Sequence, residues 1–268
     1  MIAFEIRNKA EKDLLIGYLF YYTGSKRFYS EILSDMDEWN APFIFAGHIK
    51  RGIYSIDSIW SRKFAEQRII PPDRQNLGSI LKENGLKTYD EFKLLQLSEG
   101  RCAQDDLYLV RISEKEIVPE IQTRLDKKVL DVMTLKDFNA LVFFKDGLSL
   151  KVDIKSIFKE DRLFNNILKH NEIFSNIRVS PGGNGIEWSE ERFISAEKLR
   201  TVGKKSDITY EDIKGFITER LSDTSESSRM LNCSRQYINQ LVENKRLIPI
   251  RICGNTGLFP KCIVEREV

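Results

Sequence analysis

Residues 234–246 carry the side chains with the clearest chemistry in this chain: Ser-Arg-Gln-Tyr-Ile-Asn-Gln-Leu-Val-Glu-Asn-Lys-Arg. Ser234 stands where a helix needs an N-cap. Ile238, Leu241 and Val242 then fall at i, i+3 and i+4, which predicts one apolar helix face. Arg235, Gln236, Asn239 and Gln240 lie on the opposite face, with Tyr237 beside them. A guanidinium can bridge O6 and N7 of guanine, and a carboxamide can bridge N6 and N7 of adenine, so such a face suits the reading of base edges in a major groove. Lys245, Arg246 and Arg251 come next as candidates for phosphate contact.

The elements needed to position these residues are legible on either side. A short helix over residues 226–231 precedes a turn at Asn232 and Cys233. The turn demands a positive φ at Asn232, and asparagine is one of the few residues besides glycine that tolerates it. Beyond Leu247, Ile250 and Ile252 alternate with Arg251, and residues 254–257 offer a turn before Leu258 and Phe259, which predicts a two-stranded wing. Upstream, residues 209–212 predict the start of a helix whose Tyr210, Ile213, Ile217 and Leu221 would brace this unit.

The order L-N-C-S-R-Q-Y-I, then N-K-R-L-I, then L-F-P-K resembles the excisionase and MerR-type winged helix-turn-helix family over roughly the last 45 residues. The resemblance implies that the helix after Ser234 reads bases and that the wing touches the phosphate backbone. Ser227 and Ser228 stand where such domains often carry alanine. A helical protein-interaction module is the alternative for the same residues.

Composition sets the frame. The chain has 268 residues, 41% hydrophobic and 31% charged, the range of ordinary globular proteins with room for two or three domains. The longest apolar run, residues 14–22, is far too short to span a bilayer, and Glu5, Glu11 and Asp13 argue against a signal peptide. Cys102, Cys233, Cys253 and Cys262 form no C-x-x-C pair, and only His48 and His170 could join them, so reduced thiols in a cytoplasm are expected, with no metal and no cofactor. The net charge of +2 is unevenly spread: residues 1–112 hold 16 basic and 16 acidic groups, 113–203 hold 15 and 15, and 204–268 hold 11 and 9. Within residues 225–261 there are six basic groups against two acidic ones, which places the excess where phosphates would be met.

The expected fold class is α+β and multidomain: a mixed domain over 1–112, a small β-rich domain over 127–203, and the winged helix-turn-helix over 207–268. In the first segment, Asn8 to Glu11 has capping-box spacing, and Leu14, Leu15, Tyr18, Leu19 and Tyr22 predict a helical stripe. A strand is expected at 28–33 and helices at 38–52, 58–70 and 73–85. A capping box at Thr88 to Glu91 predicts a further helix, and 107–112 a closing strand. Lys50, Arg51, Arg62, Lys63, Arg68 and Arg74 could form a second basic surface, or a solvated helix face. Residues 99–106 bring Arg101, Cys102, Asp105 and Asp106 together, but a catalytic cysteine wants a base and His48 is the one histidine in the segment.

Residues 113–124 read as a linker or a departing helix. Strands are expected at 129–135 and 138–144, with a Lys145-Asp146-Gly147 hairpin and a third strand through Leu148, Leu150 and Val152. A helix at 161–169, strands at 173–179 and 186–188, a helix opened by Ser195 and a linker at 202–206 complete the segment. The order F-x-D-G, F-N-N-I-L, F-S-N-I-R-V, G-I-E-W and A-E-K-L over 127–203 resembles the small bacterial domain of unknown function numbered twenty-four forty-two. That resemblance implies a compact α+β module with an interaction role; Trp188 and Phe144 are expected in its core.

The functional expectation is a bacterial transcriptional regulator, not an enzyme. It would bind double-stranded DNA as a homodimer, and residues 1–203 would sense a ligand or hold a protein partner, without contact to a membrane. An antitoxin-like or mobile-element protein that grips a partner and represses its own operon is the second expectation. No nucleophile with a base, metal spacing or phosphate-cradling glycine loop supports catalysis.

Overall fold

The computed structural model describes residues 1–158, 164, 167–205, 208, 210–254 and 256–267. The chain is an α+β protein of two compact units, Met1–Leu125 and Asp126–Val268. Among the described residues no helix is long and apolar enough to cross a membrane.

The first unit is built on an antiparallel sheet of order β4-β3-β2-β1-β5, from β1 (Ile2–Asn8), β2 (Leu14–Tyr22), β3 (Arg27–Ile32), β4 (Ser55–Ile56) and β5 (Leu107–Ile112). Helices α1 (Ala46–Ile49), α2 (Ser58–Glu66), α3 (Leu77–Glu83) and α4 (Glu91–Leu97) fall between the strands, and α5 (Pro119–Asp126) comes after them. Ile6, Ile16, Leu19, Phe28, Ile32, Phe45 and Phe64 fill the main core, while Ala3, Tyr18, Phe20, Ile117 and Ile121 form a second cluster. The central strands are therefore apolar on both faces.

That two-sided burial explains a correction. Residues 14–22 form β2 rather than the expected helix, because a run with apolar residues at nearly every position satisfies a helical stripe and a doubly buried strand equally. Asn8 and Glu11 do bond, Nδ2 to Oε1 at 3.1 Å, but as part of the β1–β2 turn, where Asn8 Oδ1 also accepts from the Ala10 amide. Gly17 sits on β2 where an added Cβ would lie 2.4 Å from the Glu31 carbonyl oxygen, so the β2–β3 approach requires glycine. The expected helix over 38–52 shrinks to a 3-10 turn at Phe43–Phe45 and the four residues of α1. The cap of α4 is Asp90, whose carboxylate accepts from the Lys93 amide, not Thr88.

The second unit opens with β6 (Val129–Thr134), β7 (Asn139–Phe144) and β8 (Ser149–Asp153), the three expected strands. Gly147 closes their hairpin with φ +85°. Arg200 holds the turn from outside, Nη2 to Asp146 Oδ2 at 2.7 Å, and this pairing keeps the Asp146 carboxyl below its ordinary pKa. Helix α6 (Ile154–Ile157) is next in the chain; of the helix expected at 161–169, most lies outside the described residues. Residues 173–179 do not form one strand: helix α7 (Asn171–Ser175) buries Phe174, and only β9 (Arg178–Val179) is extended. With β10 (Gly185–Glu187) and the unexpected β11 (Phe193–Ser195) it makes a three-stranded sheet. Ser195 caps α8 (Ala196–Val202) as expected. Phe144 is buried, and Trp188 packs against Phe164 and Phe174 while its indole N–H donates to the Phe174 carbonyl.

The stretch expected to be a linker contains β12 (Lys204–Lys205), which pairs with β8. Helix α9 (Tyr210–Arg220) then returns to this sheet, where a brace for the C-terminal residues was expected. Phe216 meets Phe143 edge-on at 5.7 Å, Lys151 reaches Asp212 at 2.9 Å, and Arg220 grips Asp131 on β6. Ile213 and Ile217 are exposed, so the apolar spacing that suggested a brace points outward.

Candidate nucleic-acid interface

The expected winged unit closes the chain. Strand β13 (Leu221–Asp223) leads into α10 (Thr224–Met230), whose cap is the Asp223 carboxylate accepting from the Glu226 amide at 2.7 Å. Helix α10 therefore starts two residues earlier than the expected 226. Ser227 and Ser228 are buried within it, and small size alone would leave two orphaned hydroxyls in the packing. Both are satisfied: Ser227 Oγ lies 2.9 Å from Ser222 Oγ, and Ser228 Oγ donates to the Ser225 carbonyl.

Asn232 has φ +48°, the left-handed conformation that its side chain tolerates. The chain turns there, with the Cys233 amide donating to the Ser228 carbonyl at 2.9 Å. Ser234 then caps α11 (Arg235–Glu243), its hydroxyl accepting from the Tyr237 amide at 3.2 Å. Ile238 and Leu241 enter a core with Leu247, Phe259 and Val264, and Val242 packs at its edge. Helix α11 ends with Lys245 at φ +58°, the position that glycine usually fills, and the Arg246 amide closes on the Leu241 carbonyl.

Strands β14 (Arg251–Cys253) and β15 (Thr256–Pro260) form the wing, and β13 adds to β15, giving the order β13-β15-β14. The Gly257 amide donates to Thr224 Oγ1, fixing the wing to α10, and Lys261 pairs with Glu226 at 2.7 Å. Helix α12 (Lys261–Val264) buries Cys262, whose thiol is pushed up to about 12 by burial and then by the nearby Asp131 charge.

The structure brings the predicted residues to one end of this unit. Ser234, Arg235, Gln236, Tyr237, Asn239 and Gln240 are all exposed on α11, and Lys245 and Arg246 are exposed directly after it. Arg251 is exposed on β14. A capped helix with an apolar underside and a solvent face of one guanidinium and three carboxamides has the donor and acceptor set that base edges match.

The other sequence candidates are dispersed. Arg62 pairs with Glu66 and Glu91, and Arg68 is buried against Asp105 with its guanidinium over the Phe64 ring. Lys50 lies 4.0 Å from Glu38, Lys63 covers Trp60, and Arg74 donates to Asn76. Cys102 Sγ lies 3.4 Å from Asp105 Oδ1, but that carboxylate is engaged by Arg68, and His48 packs edge-on against Trp60. Two features escape sequence reasoning. Trp39 and Phe43, 88% and 95% exposed, stand at a turn held by the Asp37 carboxylate and the Asn40 side chain. Ile252 on β14, and Ile248 and Ile250 in the residues before it, are 65%, 66% and 60% exposed. Alternation signals a strand but not which side of it is covered.

No family model matches the chain, and no curated protein matches it. A solved structure, that of the "Putative DNA Binding Protein NE0471" from Nitrosomonas europaea ATCC 19718, is similar at 19% identity. The likeness covers 46% of this chain and 79% of that one, with a TM-score of 0.27.

Proposed function

We propose that this protein binds double-stranded DNA with sequence preference through α11 and acts as a transcriptional regulator. The observation that carries the reading is the capped α11 itself, with Ile238 and Leu241 buried while Arg235, Gln236, Asn239 and Gln240 are exposed on its other side. A helix of nine residues offers few base contacts, so two copies reading paired half-sites supply the affinity that one lacks, and the protein works as a homodimer. Selection of bound sequences from a random duplex pool tests this. Enrichment of one motif with an internal repeat is the expected result, and recovery of an unenriched pool refutes it.

A second reading, an antitoxin-like or mobile-element protein that holds a protein partner and autoregulates, is favoured by Trp39 and Phe43. Two large rings with little cover, at a turn fixed by the Asp37 and Asn40 side chains, are what a partner's pocket would take as anchors. Co-purification of a protein that is lost when both rings are replaced by alanine distinguishes this reading.

A further inference from the structure

At four places among the described residues an arginine lies over an aromatic ring and pairs with a carboxylate at once. Arg68 stands 3.8 Å from the Phe64 ring centre and is held by Asp105. Arg200 covers Phe144 at 4.7 Å and pairs with Asp146. Arg101 covers Tyr108 and pairs with Glu99, and Arg124 covers Tyr54 and pairs with Glu31. A guanidinium suits both contacts, because its plane stacks on the negative face of a ring while its edge carries the donors that a carboxylate accepts.

The turn that carries Trp39 and Phe43 has the rings and the carboxylates of this arrangement without the cation. Asp37 Oδ1 accepts from the Trp39 and Asn40 amides at 2.9 and 3.0 Å, and Asn40 Oδ1 accepts from the Asp37 amide at 2.8 Å. Met36, Ala41 and Phe45 are buried in the main core on either side. The backbone is thereby fixed while both rings face solvent, so a partner meets them already ordered. From 28 to 49 the chain holds Glu31, Asp35, Asp37 and Glu38 and no lysine or arginine. Glu31 pairs with Arg124 and Asp37 holds the turn, but Asp35 is exposed, and Glu38 lies 4.0 Å from Lys50, a surface pair that contributes little. Among the described residues no lysine or arginine covers Trp39 or Phe43.

We infer that Trp39 and Phe43, together with Asp35 and Glu38, bind an arginine-bearing segment of a partner protein, its guanidinium stacked on a ring and paired with a carboxylate. The inference rests on the partner-holding reading above and names the chemistry of that partner. Charge decides against two other occupants. A nucleic acid would bring phosphates to an acidic surface, and a second copy joined by a two-fold axis would set the same carboxylates against themselves.

The experiment selects peptides from a random displayed library on the immobilised full chain, then titrates a labelled selected peptide by fluorescence anisotropy. Selected peptides should share an arginine beside an apolar residue. Changing that arginine to lysine should weaken binding about tenfold, since an ammonium neither stacks flat nor pairs in two-pronged fashion. Trp39→Ala/Phe43→Ala should abolish binding; both side chains are exposed, and thermal unfolding checks that the fold is kept. Asp35→Asn/Glu38→Gln, which keeps both rings, should weaken binding and flatten its salt dependence. The Arg235→Ala/Gln236→Ala/Asn239→Ala protein should bind the peptide as the wild type does. Peptides that need the rings but carry no arginine overturn the inference and leave the partner-holding reading standing. Absence of any ring-dependent peptide removes both. Competition by a single-stranded RNA oligomer, or loss of self-association in the ring variant, would assign the rings to nucleic acid or to a second copy and overturn the inference as well.

Discussion

Arg220, the last residue of α9, donates from Nη2 and, at 3.4 Å, from Nε to the carboxylate of Asp131 on β6; the Asp131 side chain is buried and that of Arg220 is only 12% exposed. This pair ties the middle sheet to the start of the winged unit, because β13 begins at the next residue. Glu265 stands 4.0 Å from the same guanidinium, and Arg266 donates to the Leu130 carbonyl, so residues 265–266 return to β6 as well. Desolvation by burial works against the Arg220 charge, but the Asp131 hydrogen bond and charge outweigh it and raise its pKa.

Removing one partner of that pair strands the other charge in a buried site. Asp131→Asn or Arg220→Leu should therefore lower the stability of the 126–268 unit by about 3 kcal/mol, measured by denaturant unfolding. Replacing both partners with apolar residues should cost clearly less than either single change. Equal losses for the single and double variants would show that the pair is not coupled.

A related outcome concerns where the second unit can be cut. A fragment of residues 127–203 lacks β12 and α9, and so uncovers Phe143 and leaves Asp131 without Arg220. It should unfold at lower denaturant than a fragment ending at 220, and bind an apolar dye. Indistinguishable transitions for the two fragments would mean that α9 contributes nothing to the sheet.

The turn before α11 gives a third expectation. Ser234→Ala removes the cap and should cost about 1 kcal/mol, whereas Asn232→Gly should be neutral or stabilising because φ is already positive. Asn232→Val, a β-branched residue at φ +48°, should cost about 1–2 kcal/mol. Thermal melts of the three variants rank these effects, and a stabilising valine would contradict the turn geometry.

His48 provides the pH dependence. Burial lowers its pKa below 6.5, Asp57 opposing and Arg51 assisting, so the folded first unit keeps the ring neutral beside Trp60. The unfolded chain binds the proton more readily, and stability is present above pH 6.5 and falls as the solution is acidified below it. Unfolding of His48→Phe should show a flatter profile between about pH 7 and pH 5. A profile as steep as that of the wild type would assign the effect elsewhere.

The sequence marks the turn and helix over residues 232–243 well because local chemistry decides them. Asn232 has few alternatives at positive φ, Ser234 is a strong cap, and Ile238 and Leu241 leave one inward face. The β7–β8 hairpin is legible for the same reason, through Asp146-Gly147 and the alternation of Leu148, Leu150 and Val152. Residues 14–22 mislead because burial on both faces erases the period that separates helix from strand. Ile213 and Ile217 mislead in the opposite sense: their spacing defines a face, but Phe216 and Asp212 determine which face meets the sheet. Ile252 is of this kind too, since it stands opposite Gly257, where the Phe259 ring leaves no room for a side chain.

The most direct measurement of the central claim is the operator preference of the Arg235→Ala/Gln236→Ala/Asn239→Ala protein, determined by selection and by titration of matched and mismatched duplexes. Each lost base contact should cost about 1–3 kcal/mol on the matched duplex, and preference should relax at the positions those side chains face. Residual binding should be salt-sensitive and sequence-blind, carried by Lys245, Arg246 and Arg251. A triple variant that selects the same motif with the same affinity would place α11 outside the groove and contradict the account.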